Sequence, residues 1–132
     1  MAEYQAAIEA AEDEASRGRY KEAYNALARA MWLGGPSDQE VRYRRGLYAY
    51  NVARSRLDDF ERSTVPKSTV PKKMLIKAGC WLARSEAYLS SAAEGVPGRR
   101  SEDILEDLGR TKEEQDRFRS LVRRLGNGLF TD

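Results

Sequence analysis

Residues 17–31 read RGRYKEAYNALARAM. As a helix, Tyr20, Ala23, Tyr24, Leu27, Ala30 and Met31 fall at spacings of three and four, so they share one side. Gly18 stands just ahead of them, between two arginines, and glycine accepts the left-handed backbone that ends helices. The stretch therefore predicts the end of one helix, a tight turn, and a second helix from about Tyr20 to Leu33. Gly34-Gly35-Pro36 stops that second helix.

The same periodicity extends in both directions. Tyr4, Ala7, Ile8, Ala11 and Ala15 form a stripe on a first helix over residues 3–16. Ser37 or Asp38 can cap a third helix, from about Gln39 to Glu61. This third helix carries two apolar faces, Val41, Tyr48 and Val52 on one and Tyr43, Leu47, Tyr50 and Leu57 on the other. Such a helix is covered on two sides or offers one side to a partner. Ser63 to Lys67 then recurs as Ser68 to Lys72 (STVPK twice), and its two prolines make residues 63–72 a loop.

A fourth helix, from about Lys72 to Glu94, presents Met74, Ala78, Trp81, Leu82, Ser85, Leu89 and Ala92 on one face. Gly79, Cys80, Ala83 and Ala87 lie opposite, small enough for another helix to approach, and Cys80 is expected to pack. Ser101 opens a short helix through Leu108. Thr111 opens another, with Glu114 placed for a capping box and Phe118, Leu121, Val122 and Leu125 as its stripe. Asn127-Gly128 closes it. The fold class expected is all-α, with five or six helices as antiparallel hairpins in one domain over residues 1–132. Residues 1–62 and 73–132 flank the proline-containing loop.

Composition narrows the function. The balance of 41% hydrophobic and 33% charged residues is that of a soluble globular chain. No apolar run approaches the ~18 residues of a membrane span, so no membrane partner is expected. The start MAEYQAAIEAAEDEA has no basic, apolar leader pattern, and the single cysteine excludes an internal disulfide, so the expected setting is cytoplasmic. There is no histidine, which removes the commonest general base and metal ligand. Cys80 has no histidine to activate it. Glu102, Asp103 and Glu106 group near a helix start, where the helix dipole accounts for them. No catalytic residues, cofactor or metal are expected, and the protein is read as a non-enzyme.

Arginine outnumbers lysine 17 to 6 within a net charge of only +2. Arg42, Arg44, Arg45, Arg54, Arg56, Arg99, Arg100, Arg117, Arg119, Arg123 and Arg124 could serve nucleic acid, with Tyr43, Tyr48 and Tyr50 interleaved for stacking. The interspersed acids favour a salt-bridged helical surface instead, leaving an Arg/Tyr-rich nucleic-acid binder as the alternative.

Gly18, Tyr20, Ala23, Leu27 and Ala30 together resemble the second half of a tetratricopeptide repeat, a 34-residue helix pair with small residues where the helices touch. Pro36 falls one residue later than that pattern, and Ala7 and Glu14 stand where large aromatics are usual. A second unit aligns from Gln39, with Gly46 at its small position. Gly18-x-Tyr20-x-Glu22-Ala23, followed by a helix with Arg42, Tyr48 and Leu57, also resembles a microtubule-interacting-and-trafficking domain, a three-helix bundle that binds peptide helices.

The first resemblance implies a TPR-like bundle or short solenoid acting as an adaptor, that is, a protein–protein interaction module for a partner peptide or helix. The first helix of each pair would line the concave face. Tyr43, Leu47, Tyr50 and Arg54 of the third helix would then form one binding stripe, with Asn51 beside it and Ile8 and Glu12 facing the same groove. Tyrosine and arginine are common interface anchors. The competing expectation is that the fourth helix, with Met74, Trp81 and Leu82, covers this stripe. An uncovered helix face would also suit a homodimer.

Overall fold

The first helix, α1 (Ala2–Ser16), ends where Gly18 takes a φ of 77°. The amide of Arg19 donates to the Glu14 carbonyl at 2.9 Å and that of Gly18 to Ala15 at 3.0 Å. These two bonds make a Schellman turn, which satisfies carbonyls left open at the helix end. The chain then reverses into α2 (Tyr20–Gly34). Arg29 of α2 meets Glu3 of α1 at 3.2 Å, so the two helices lie antiparallel.

This computed structural model describes residues 2–34, 38–62 and 72–124. Three further helices follow: α3 (Gln39–Arg62), α4 (Lys72–Ala92) and α5 (Ser101–Arg124). The protein is all-α, and no strand occurs among the described residues. Asp38 caps α3, its carboxylate accepting from the Val41 amide at 3.2 Å. The repeated STVPK segment, the Gly35-Pro36 stop, Ser37 and the expected close at Leu125 and Asn127-Gly128 lie outside the described residues.

Each helix packs on the next, α1 on α2, α2 on α3, α3 on α4 and α4 on α5, and α5 also reaches back to α3. Both apolar faces of α3 meet other helices, the second of them in part, with Tyr50 half-buried. Val41, Tyr48 and Val52 join the main core with Ile8, Leu27 and Leu82. Tyr43 belongs to a second cluster with Leu89, Ala92, Val96 and Ile104, against which Leu47 and Leu108 pack. At Gly46, α3 and α4 come so close that a Cβ would sit 2.7 Å from Leu89 Cγ.

Three expectations need correction. The chain from Ser101 to Arg124 is one helix, with no break before Thr111. Thr111 is fully buried, and its hydroxyl donates to the Asp107 carbonyl one turn back at 3.2 Å, so it is no cap. Met74 is 38% exposed while Leu75 is buried. Met74, Leu75 and Ile76 are consecutive apolar residues, and helical spacing alone cannot choose which of them continues the stripe. Cys80 is exposed and does not pack. Of the small residues on its side of α4, Gly79 lies against the Phe118 ring of α5.

Ion pairs tie the outer surface together. Arg117 of α5 contacts Asp58 at 2.7 Å and Glu61 at 2.5 Å on α3, and Glu114 at 2.8 Å on its own helix. Arg44 bridges Glu12 at 3.2 Å and Glu40 at 2.8 Å, and Glu40 meets Arg99 at 2.6 Å. The Arg99 hydrogen bond is the main reason the Glu40 carboxyl sits below the usual carboxylate range, against the opposing effect of burial.

Candidate functional site

α2 and α4 both pack on α3, and aromatic side chains close part of the space between them. Trp81 of α4 meets the Tyr24 ring of α2 edge-on, with centroids 4.9 Å apart and an interplanar angle of 84°. Tyr88 stands 6.2 Å from Tyr24 at 70°. Arg45 rises from α3 beneath them, 4.0 Å from the Tyr24 centroid. Its Nη1 donates to the Tyr88 hydroxyl at 2.9 Å and its Nε to the Tyr24 carbonyl at 3.3 Å. Arg84 lies 4.6 Å over Trp81. These are favourable cation–aromatic placements.

Alongside this lattice, Ala28, Met31 and Trp32 of α2, Arg42 of α3, and Ala87, Tyr88 and Ser91 of α4 line an open groove of about 700 Å³. Trp32 is 84% exposed, although tryptophan is on average one of the more buried residue types. Arg42 is half-buried, and its Nη1 donates to the Ser91 hydroxyl at 2.8 Å. Among the described residues, Arg42, Arg45 and Arg84 have no carboxylate partner. Other arginines do: Arg44, Arg99, Arg100, Arg117, Arg119 and Arg124 each meet a carboxylate oxygen at 2.5 to 3.7 Å. Much of the arginine surface read as a nucleic-acid candidate is therefore neutralised within the chain.

The residues expected on the α1/α3 groove separate. Ile8 is buried in the main core and Tyr43 in the second cluster, so neither is open to a partner. The Tyr43 hydroxyl donates to Asp107 at 2.5 Å, and Arg99 covers its ring at 4.6 Å. Burial, and then the Asp107 carboxylate, push that hydroxyl up to about 12. Leu47 is half-buried beside the same cluster. Asn51 donates its side-chain amide to the Leu47 carbonyl of its own helix at 2.9 Å. Glu12 is exposed and paired with Arg44. Tyr50 is half-buried and Arg54 exposed.

The stripe is thus real as helix geometry, and its first half is covered. The cover comes from Leu89 and Ala92 of α4 and from Ile104 and Leu108 of α5, while Trp81 and Leu82 lie in the main core. Trp32 formed no part of the sequence-based site. Its signal was a large indole next to, and off, the apolar stripe of α2, one turn beyond Ala28.

Among the described residues, no group of three or more His, Cys, Asp or Glu side chains is placed to hold a metal ion, and no helix is long and apolar enough to cross a membrane. The fold places the chain in the class of all-α proteins built from packed antiparallel helices. No family model, curated protein or solved structure matches it.

Proposed function

We propose that this protein is a non-enzymatic interaction module that holds a segment of a protein partner in the groove between α2 and α4. The observation that carries the reading is Trp32, an indole 84% exposed at the edge of a groove of about 700 Å³ whose walls include Ala28, Met31 and Ala87. An exposed large apolar side chain beside an apolar concavity is the usual composition of an interface anchor. The resemblance of residues 18–36 to a tetratricopeptide unit, and the packing of each helix on the next, support the same class. A cytoplasmic setting suits the exposed free thiol of Cys80.

Photo-crosslinking tests the reading. A photoreactive phenylalanine analogue is placed at position 32, at position 50 and at the exposed control Leu105, and the proteins are irradiated in extract of the native host. A discrete crosslinked protein at position 32, absent at 105, supports the groove. Crosslinking at position 50 alone returns the site to the α3 stripe. A crosslinked second copy of the chain makes the groove a homodimer interface.

A further inference from the structure

We infer that the α2–α4 groove is built for an acidic amphipathic segment. One large apolar side chain of that segment lies against Trp32, Met31 and Ala87, and a neighbouring side-chain carboxylate is taken by Arg42. The inference rests on the groove reading above and adds the chemistry of the occupant.

Charge complementarity carries it. Arg42 is the one charged residue among the described residues lining the groove. A guanidinium has five N–H donors, and among the described residues Arg42 uses Nη1 on the Ser91 hydroxyl at 2.8 Å. Arg45 lies behind the same walls and contacts the Tyr24 ring, the Tyr88 hydroxyl and the Tyr24 carbonyl. Among the described residues, Arg42 thus brings into the groove a positive charge with no carboxylate beside it, whereas Arg44 and Arg117 on the outer surface are paired. A purely apolar occupant would cover Arg42 without a counter-charge, which is unfavourable. A basic occupant would be repelled. A carboxylate gives Arg42 a charge-assisted hydrogen bond of the stronger kind. A single strand of nucleic acid needs cations spaced along its backbone, whereas here one arginine stands among Ala28, Met31 and Ala87.

The test is selection of a random twelve-residue peptide library, each member fused at its C-terminus so that only side-chain carboxylates are available. The bait is the intact protein. The expected winners carry Asp or Glu within four residues of Trp, Phe or Leu. Replacing that acid by its amide weakens the winning peptide at least tenfold. Arg42→Gln weakens the acidic form to the level of the amide form, with the melting temperature unchanged. Arg54→Gln, exposed on another face of α3, changes nothing. Ala87→Glu removes binding of both forms. Winners that are apolar without acids, and are lost with Ala87→Glu, overturn the acidic-partner inference and leave the groove standing. Winners rich in lysine and arginine overturn it likewise. A library with no enriched peptide, or winners indifferent to Ala87→Glu, overturns the groove itself. Tighter, Arg42-dependent binding of a twenty-residue oligothymidylate would replace the peptide by nucleic acid.

Discussion

Ser85 of α4 and Thr111 of α5 face each other at 3.0 Å in the middle of the bundle. They are the only polar side chains that are fully buried among the described residues. Ser85 also reaches the Gly46 carbonyl at 2.9 Å and Thr111 the Asp107 carbonyl at 3.2 Å. Two hydroxyl protons serve three contacts, so removing one hydroxyl leaves the other with a carbonyl to donate to. Ser85→Ala and Thr111→Val are therefore each expected to destabilise by only about 1 kcal/mol. The double variant should cost less than the sum, by roughly 0.5 kcal/mol, because the shared bond is lost once. Urea denaturation of the four proteins measures this, and strict additivity would contradict the shared bond.

Two glycines inside helices should respond to alanine with opposite signs. Alanine is favoured over glycine in a helix by about 1 kcal/mol. At Gly109 nothing lies within 4 Å of the new methyl, so Gly109→Ala should stabilise by roughly 0.5–1 kcal/mol. At Gly46 the methyl meets Leu89 at 2.7 Å and its backbone nitrogen at 3.3 Å. Overpacking of that kind costs about 1–3 kcal/mol and outweighs the propensity gain. Gly46→Ala should lower the melting temperature and Gly109→Ala raise it.

The two tryptophans should also separate. Trp81 is 6% exposed and Trp32 84%. Trp81→Ala should destabilise by about 3–5 kcal/mol. Trp32→Ala should change stability by less than ~0.5 kcal/mol, as surface substitutions do. Acrylamide should quench the fluorescence of the wild type strongly and that of Trp32→Phe weakly. A melting temperature that collapses with Trp32→Ala would show that the indole supports the fold.

Alkaline pH should loosen the bundle in a defined window. Burial, with Asp38 as the second cause, pushes the Tyr4 hydroxyl up to about 12, and burial with Asp107 does the same to Tyr43. In the unfolded chain both ionise near 10. The folded state holds these protons more tightly, so the stability they contribute is complete below about pH 10. It is lost as pH rises from about 10 through about 12. Urea midpoints across that range should fall in the wild type and fall less steeply in Tyr43→Phe. Identical slopes would show that Tyr43 ionises alike in both states.

Most helix boundaries were legible locally. Gly18 and Asp38 sit where backbone chemistry demands an end and a start, and the three-and-four spacing named Leu27, Val41, Leu82 and Leu89 as inward residues before any contact was known. Thr111 misled because its local signal was genuine. Threonine with Glu114 three residues on is a capping pattern, and Gly109 weakens a helix. Burial of Ile104, Thr111 and Leu121 along one side of α5 overrides that weakness.

The chain alone determined that its helices exist, roughly where they turn, and that α3 has two faces to cover, because those properties depend on residues three or four apart. Which face stays open depended on where α5 came to rest, more than fifty residues further along the chain. Together with Leu89 and Ala92 of α4, α5 closed the Tyr43 and Leu47 half of the stripe that spacing had marked as a binding surface. Trp32, one position past the α2 stripe, was left in water, since among the described residues no helix covers the gap between α2 and α4 there. Local periodicity orients a side chain around its own helix axis. Only long-range packing decides whether another helix lies on that side.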